Sequence, residues 1–397
     1  MRDHPILGQV ALNYCPLIGP KRIAVATRLT VTPARPGLAL DAGAMLDALA
    51  ELWPVSAGDL ILSVRSESLL ASLMERQPPS HVLVEVPSFM AGDSRFTRDI
   101  RMLHVNGIRL LLSGRTSDPL GRELLPCFQH ALIDMADERR GDAPREPTDG
   151  GARRITFFQS GVRTVSEMES AFERGAQGVL GWPIDDAVGR SPGKGQASDL
   201  QIIVELIRKV DQGEDIDKVE ATLRRDPTLA YKLMRQINSP AFGLSVEITS
   251  LSHAVMLLGY QRLKRWLALL LATASKDANM RPVMYAAVRR AMLMESLAGS
   301  GDDTLRGDLF ICGVFSLLDR MFGEPFSQLL RTIPVPEQVY TALAEEKGPY
   351  EPYIAIAHAI ESGTGPDVVE ASQRALLELD TVNLALLRSL AAAMQVE

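Results

Sequence analysis

Residues 222–271 read TLRRDPTLAYKLMRQINSPAFGLSVEITSLSHAVMLLGYQRLKRWLALLL, and their punctuation decides the fold of the C-terminal half. Asp226-Pro227 predicts a helix start, because aspartate caps free backbone N–H groups and proline suits the first turn. Leu229, Leu233 and Ile237 recur every four residues and so share one face. Asn238-Ser239-Pro240 predicts the helix end, since proline disfavours helical geometry in the residue before it. After a turn at Gly243, Thr249 or Ser250 is placed to cap a second apolar helix that Gly259 would end. A third helix from Tyr260 is expected to bury Leu263, Trp266, Leu267, Leu270 and Leu271.

Outward from this stretch, nothing after Asp199 reads as a strand. Helical patterns cover 199–211, 216–225, 227–238, 250–258, 260–275, 283–298, 304–322, 336–346, 350–361, 367–377 and 380–394. The first half alternates instead. Strand candidates are 22–31, 59–64, 81–86, 108–112, 128–133, 155–158 and 178–180, with helical patterns such as 41–52, 94–105 and 166–174 between them. Such repeated units predict a parallel sheet with helices outside, open or closed into a barrel. Residues 137–153 (DERRGDAPREPTDGGAR) are expected to form a mobile loop, and 185–198 (DDAVGRSPGKGQAS) a linker. The predicted organisation is a β/α barrel over 1–188, a linker over 189–198 and an all-helical domain over 199–397.

A chain of 397 residues is too long for one ordinary core, so two or three domains are expected. No apolar run is long enough to span a membrane, and the N-terminus lacks the pattern of a secretory signal. Cys15, Cys127 and Cys312 are odd in number and sit among apolar neighbours, which predicts reduced core residues of a cytoplasmic protein. The net charge of −7 argues against general nucleic-acid binding. Acidity concentrates in 196–397, with 20 basic and 26 acidic residues, yet 224–265 reverses it with seven basic against two acidic.

Asp226-Pro227, Leu229, Lys232-Leu233, the run Asn238 to Gly243, Ile248 to Ser252, Leu257-Leu258-Gly259 and Arg265-Trp266 together resemble the HDOD domain, a helical relative of the HD phosphohydrolases. The resemblance covers about 196–395, with 308–319 and 334–343 fitting its later part. HD phosphohydrolases hold metal through histidines and a contiguous His-Asp pair, because a hydroxide nucleophile needs a polarising cation. Here none of the six histidines precedes an aspartate, and His253 and His358 are the two in this half. The resemblance therefore implies a domain without that site.

Residues 8–186 resemble a degenerate EAL domain, the barrel of cyclic di-GMP phosphodiesterases. Cys15 to Ile18 with Arg22 to Leu29, then 59–70, 81–86, 107–112, 132–134, Gly161-Val162 and Leu180-Gly181-Trp182 carry it. That family's two divalent metals sit on carboxylates at strand ends. The signature glutamate position falls near Thr27, and residues 4–40 contain no acidic residue at all. The asparagine position falls at Ser63. Glu85 persists, but the aspartate pair becomes Ser113-Gly114, the lysine becomes Leu132 beside a lone Asp134, and the later glutamates become Ser160 and Arg163. The closing Gln-Gly reads Leu180-Gly181. No metal, cofactor or catalytic residue is therefore expected.

There is no phosphate-binding loop, dinucleotide fingerprint, Cys-x-x-Cys pair or nucleophile elbow. Arg28, Arg109 and Arg163 are the arginines that could meet nucleotide phosphates. The basic cluster of Arg224, Arg225, Lys232, Arg235, Arg262, Lys264 and Arg265 reads either as a solvated face or as a partner-binding patch for an acidic protein or a phosphate. The expectation is a non-catalytic bacterial signalling protein that acts through protein partners, with no membrane and no cofactor. Two alternatives stay open: an inactive cyclic di-GMP receptor, and a residual metal-dependent cyclic di-GMP phosphodiesterase.

Overall fold

Eight strands close into a barrel in sequence order, in a computed structural model that describes residues 4–114, 120–121, 123–138, 155–187, 194–239, 248–275, 277–299, 301–333 and 335–393. The strands are β1 (Val10–Ile18), β2 (Ala24–Pro33), β3 (Asp59–Val64), β4 (Val82–Pro87), β5 (Arg109–Ser113), β6 (Phe128–Asp134), β7 (Thr156–Val162) and β8 (Gly178–Gly181). β2 to β8 run parallel, while β1 is antiparallel to both β2 and β8. Sequence reading found seven of these strands and missed β1. Its residues are buried on both faces, so no alternation shows, and Pro16 argues against a strand.

The helices of this half are α1 (Ala42–Leu52), α2 (Glu67–Met74), α3 (Ser88–Ala91), α4 (Ser94–Val105), α5 (Met135–Glu138) and α6 (Val165–Glu173). Several starts are capped as their sequences dictate. Asp41 accepts from Gly43 and Ala44, and Thr164 forms a capping box with Glu167. Inside the barrel, each strand contributes one residue to an apolar layer: Leu17, Ala26, Ile61, Leu83, Leu111, Leu132, Phe158 and Leu180. Side chains alternate along a strand, so this layer fixes which residues face inward above and below it.

Helices α7 (Lys194–Asp211), α8 (Ile216–Leu223), α9 (Pro227–Ile237), α10 (Leu251–Ala272), α11 (Arg281–Leu297), α12 (Asp303–Phe315), α13 (Leu318–Phe322), α14 (Phe326–Thr332) and α15 (Glu337–Ala344) follow, then α16 (Glu351–Ser362), α17 (Gly365–Arg374) and α18 (Leu379–Ala393). The opening stretch behaves largely as its punctuation requires. Asp226 caps α9 by accepting from Thr228 and Leu229, and Leu229, Leu233 and Ile237 are buried. Ser250 occupies the cap position of α10 without a side-chain hydrogen bond, and Gly259 breaks α10 at φ +73°. The Gly243 turn and the linker residues 188–193 lie outside the described residues, as does most of the 137–153 loop. Where α12 crosses α11, a Cβ on Gly313 would stand 2.6 Å from the Ala291 backbone, so only glycine permits that approach.

The chain divides into two compact units, 1–187 with 355–397, and 188–354. This departs from the expected boundary, which assigned all of 199–397 to the helical domain. The reason lies in β1, which pairs with β8 only at Leu17–Leu180 and Ile18–Val179. The rest of its edge needs other partners. Asn383 of α18, fully buried, donates to the Leu7 and Val10 carbonyls at 2.7 Å each and accepts from Leu12 N–H at 3.2 Å. Asn13 donates to the Ala359, Ile360 and Gly363 carbonyls, which answers the open carbonyls at the end of α16. Trp182 donates to the Glu361 carbonyl at 3.0 Å. The C-terminal segment thus seals the β1–β8 seam. Helical periodicity revealed these helices but not the core they complete.

Candidate functional site

Two residues beyond the apolar layer, toward the carboxyl ends of the parallel strands, the inward positions are Arg28, Ser63, Glu85, Ser113, Asp134 and Ser160, with Cys15 opposite Arg28 on β1. This end of a β/α barrel is where sites form. The mouth is organised by one ion pair. Arg28 donates through Nε and a terminal nitrogen to both oxygens of Glu85, at 2.8 and 2.7 Å, and to Ser63 Oγ at 3.2 Å. The side chains are only 14% and 5% exposed, so the pair is nearly cut off from water. Burial works against the Arg28 charge, but Glu85 and Cys15 together outweigh it and the guanidinium pKa rises. Burial likewise pushes the Cys15 thiol up, with Arg28 pulling the other way.

This geometry revises one position. The inward residue of β2 at this level is Arg28, and Thr27, also buried, points to the other face. A cation therefore occupies the inward position of β2 at the mouth, while Thr27, where the EAL resemblance implies a carboxylate ligand, faces away from it. Glu85 has both oxygens engaged by Arg28. Asp134 accepts from Ser160 Oγ at 3.0 Å and from the Ala136 N–H at 2.8 Å. Leu132 and Leu180, at two further polar positions of that family, belong to the apolar layer. Among the described residues no group of three or more His, Cys, Asp or Glu is placed to hold a metal ion. The donors among the described residues do not fit a two-metal centre.

The mouth is half covered. Asn13 and Thr32 lie on the same strand faces as Cys15 and Arg28, and both meet the α16–α17 corner. A Cβ on Gly365 would stand 2.6 Å from Thr32 Cβ, so glycine is needed for that close cover. What remains open, beside β3–β5, is a cleft of about 350 Å³ lined in part by Ser63, Arg65, Glu67, Glu85, Phe89 and Ser113. Of the arginines considered for phosphates, Arg28 is paired with Glu85, Arg109 with Asp59 at 2.6 Å and Arg163 with Asp185 at 3.0 Å.

The basic cluster of the helical unit separates into two sets. Arg224 pairs with Glu220 at 2.5 Å, Arg225 with Glu205 at 2.7 Å and Arg265 with Glu295 at 2.6 Å. Arg265 also lies 4.4 Å over the Phe310 ring. Lys264 is buried and paired with Asp211. Lys264 and Arg265 are thereby tied into the fold, whereas Arg224 and Arg225 stay exposed although paired. Lys232, Arg235 and Arg262 are exposed and make no ion pair among the described residues. Sequence reasoning missed what accompanies them: Tyr231, Met256 and Leu257, exposed by 66%, 57% and 44%, lie on the same two helices, α9 and α10. Their signal was available as apolar residues outside the buried stripes. His253 and His358 are both exposed, on α10 and α16. The three cysteines are free thiols, and no helix among the described residues is long and apolar enough to cross a membrane.

Comparison with known proteins covers part of the helical half. Residues 198–322 match the HDOD domain family. A relative named cyclic di-GMP phosphodiesterase CdgJ, from Vibrio cholerae, is 25% identical over 288 residues, 71% of this chain and 66% of that protein. The uncharacterized protein YuxH of Bacillus subtilis is 26% identical over 219 residues, 53% of each chain. This chain thus matches less than two thirds of either relative's length. Among solved structures, a calcium and cyclic di-GMP complex of Klebsiella pneumoniae BlrP1 overlaps 46% of this chain and 57% of its own, at 16% identity and a TM-score of 0.32. The chain carries an HDOD domain at residues 198–322, accompanied by an eight-stranded mixed barrel.

Proposed function

We propose that this chain is a non-catalytic signalling protein of the bacterial cytoplasm, a degenerate EAL-like barrel with an HDOD domain, acting by binding other proteins. The observation that carries the reading is the Arg28–Glu85 pair, which fills the barrel mouth with a fixed cation and engages both oxygens of its inward glutamate. A divalent ion would have to displace a buried, doubly hydrogen-bonded guanidinium, which is unfavourable. In the helical unit, the exposed cations Lys232, Arg235 and Arg262, with Tyr231, Met256 and Leu257 on the same helices, form the surface offered to an acidic partner.

Titration calorimetry with Mn²⁺ tests the first half of this reading. Wild type should show no stoichiometric heat, and a site filled below about 100 µM would contradict it. For the surface, Lys232→Glu/Arg235→Glu/Arg262→Glu should abolish capture of the native partner. Capture that survives in a folded variant excludes this surface.

A second reading has a specific observation in its favour. The Vibrio relative is named a cyclic di-GMP phosphodiesterase, and the open cleft beside β3–β5 offers Arg65 and Phe89 to a nucleotide. Under that reading the barrel binds cyclic di-GMP as a receptor or retains slow hydrolysis. Nucleotide titration and product analysis separate the two.

A further inference from the structure

The corner between α17 and α18 places leucine where backbone geometry favours glycine. α17 ends in a Schellman motif: Leu377 N–H donates to the Ser372 carbonyl at 3.0 Å, and Leu376 N–H to the Gln373 carbonyl at 3.1 Å. Leu376 occupies the left-handed position of that motif at φ +56°, a conformation its Cβ makes unfavourable. It is also 93% exposed, more than any other large apolar residue described. Neither the local backbone nor burial within the chain accounts for a leucine here.

Leu376 also forms part of the rim of a cleft of about 430 Å³, lined further by Arg35, Val369, Gln373, Leu377 and Glu378. Arg35 and Glu378 are exposed, and neither makes an ion pair among the described residues. The corner thus joins an apolar projection, a hollow, a free cation and a free anion. We propose that it is the interface of a two-fold homodimer, with Leu376 of each copy seated in the cleft of the other and Arg35 facing Glu378 across the axis.

A second copy is the occupant because the patch is complementary to itself. Two-fold contacts require residue i to meet residue j while j meets i, and the corner supplies both members of each match. A partner of one charge sign would be repelled by either Arg35 or Glu378. The exposed cations of α9 and α10 are of one sign, so two copies would repel there. Being small, the corner should give a weak dimer, in the micromolar range.

Sedimentation velocity of the full chain over roughly 1–200 µM tests this. Wild type should move from 43.3 kDa toward twice that mass as concentration rises. Leu376→Gly should stay monomeric while its thermal midpoint rises, because the left-handed strain is relieved. Arg35→Glu and Glu378→Arg should each weaken the dimer about tenfold, and the double charge swap should restore it. A wild type that stays monomeric overturns the proposal, as does a dimer unaffected by Leu376→Gly or a swap that restores nothing.

Discussion

The barrel mouth and the helical unit both place a cation among carboxylates, but they dispose of charge differently. In the barrel, Arg28 and Glu85 satisfy each other almost completely, and Arg109 and Arg163 are paired as well. In the helical unit Lys264 pairs with Asp211, Asp308 beside them accepts from Tyr350 at 3.1 Å, and three further cations are exposed with no ion pair among the described residues. A pair closed on itself fixes a structure, whereas free charge on an exposed face can be read by a partner. The two units also differ in continuity: 188–354 is one segment, but the barrel needs 355–397 to complete it.

Breaking that continuity should have the largest effect. Deleting 355–397 removes Asn383 and the other seals of the β1 edge, leaving buried backbone groups unsatisfied at about 1–3 kcal/mol each. The truncated chain should lose the barrel's cooperative unfolding transition in a thermal melt. A chain ending at 354 that melts as sharply as wild type would contradict this.

Next comes the ion pair. Glu85→Leu leaves Arg28 buried without its partner and should cost about 3–5 kcal/mol. The double change Arg28→Met/Glu85→Leu should recover most of that loss. Denaturant melts of the two variants give the comparison directly. Lys264→Met should cost less, about 1–2 kcal/mol, because the orphaned Asp211 is 36% exposed and water can solvate it.

These two sites also mark where sequence stops being informative. Helix starts and stops are local, so Asp226-Pro227 and Gly259 predicted their structures correctly. Strand positions followed from short β-rich runs, and the loss of acidic residues near β2 was visible from composition. Apart from the i,i+4 pair of Arg224 with Glu220, the ion-pair partners here are not local. Glu205, Asp211 and Glu295 lie 20 to 53 residues from the cations they hold, so a cluster of seven could not be divided into structural and exposed members. The inward register of Arg28 required the closed barrel. The interruption of the barrel by another unit leaves no local signal, since α16–α18 have the same apolar periodicity whichever core they join.

A smaller effect concerns pH. Burial raises the Asp308 pKa, with the Tyr350 hydrogen bond and Lys264 opposing and the Asp211 and Asp302 carboxylates adding to it. The folded state therefore holds this proton more tightly than the unfolded chain. The contribution is fully present below about pH 4 and is lost as pH rises through the raised value. Asp308→Asn keeps an acceptor for Tyr350 and should flatten that slope, gaining less than about 1 kcal/mol at pH 7. Unchanged pH dependence would exclude Asp308 as its source. Smallest of all, Lys232→Glu/Arg235→Glu/Arg262→Glu should change stability by no more than about 0.5 kcal/mol per site, although it should abolish partner capture. A large drop in the melting midpoint would show that these cations support the fold after all.

The most direct test of the central claim is turnover by the full chain. Cyclic di-GMP incubated with the protein and Mg²⁺ or Mn²⁺, followed by chromatography of the nucleotides, should give no more linear product than buffer alone. Product that forms with wild type and disappears with Glu85→Gln would show that the Arg28–Glu85 pair does not close the mouth to catalysis.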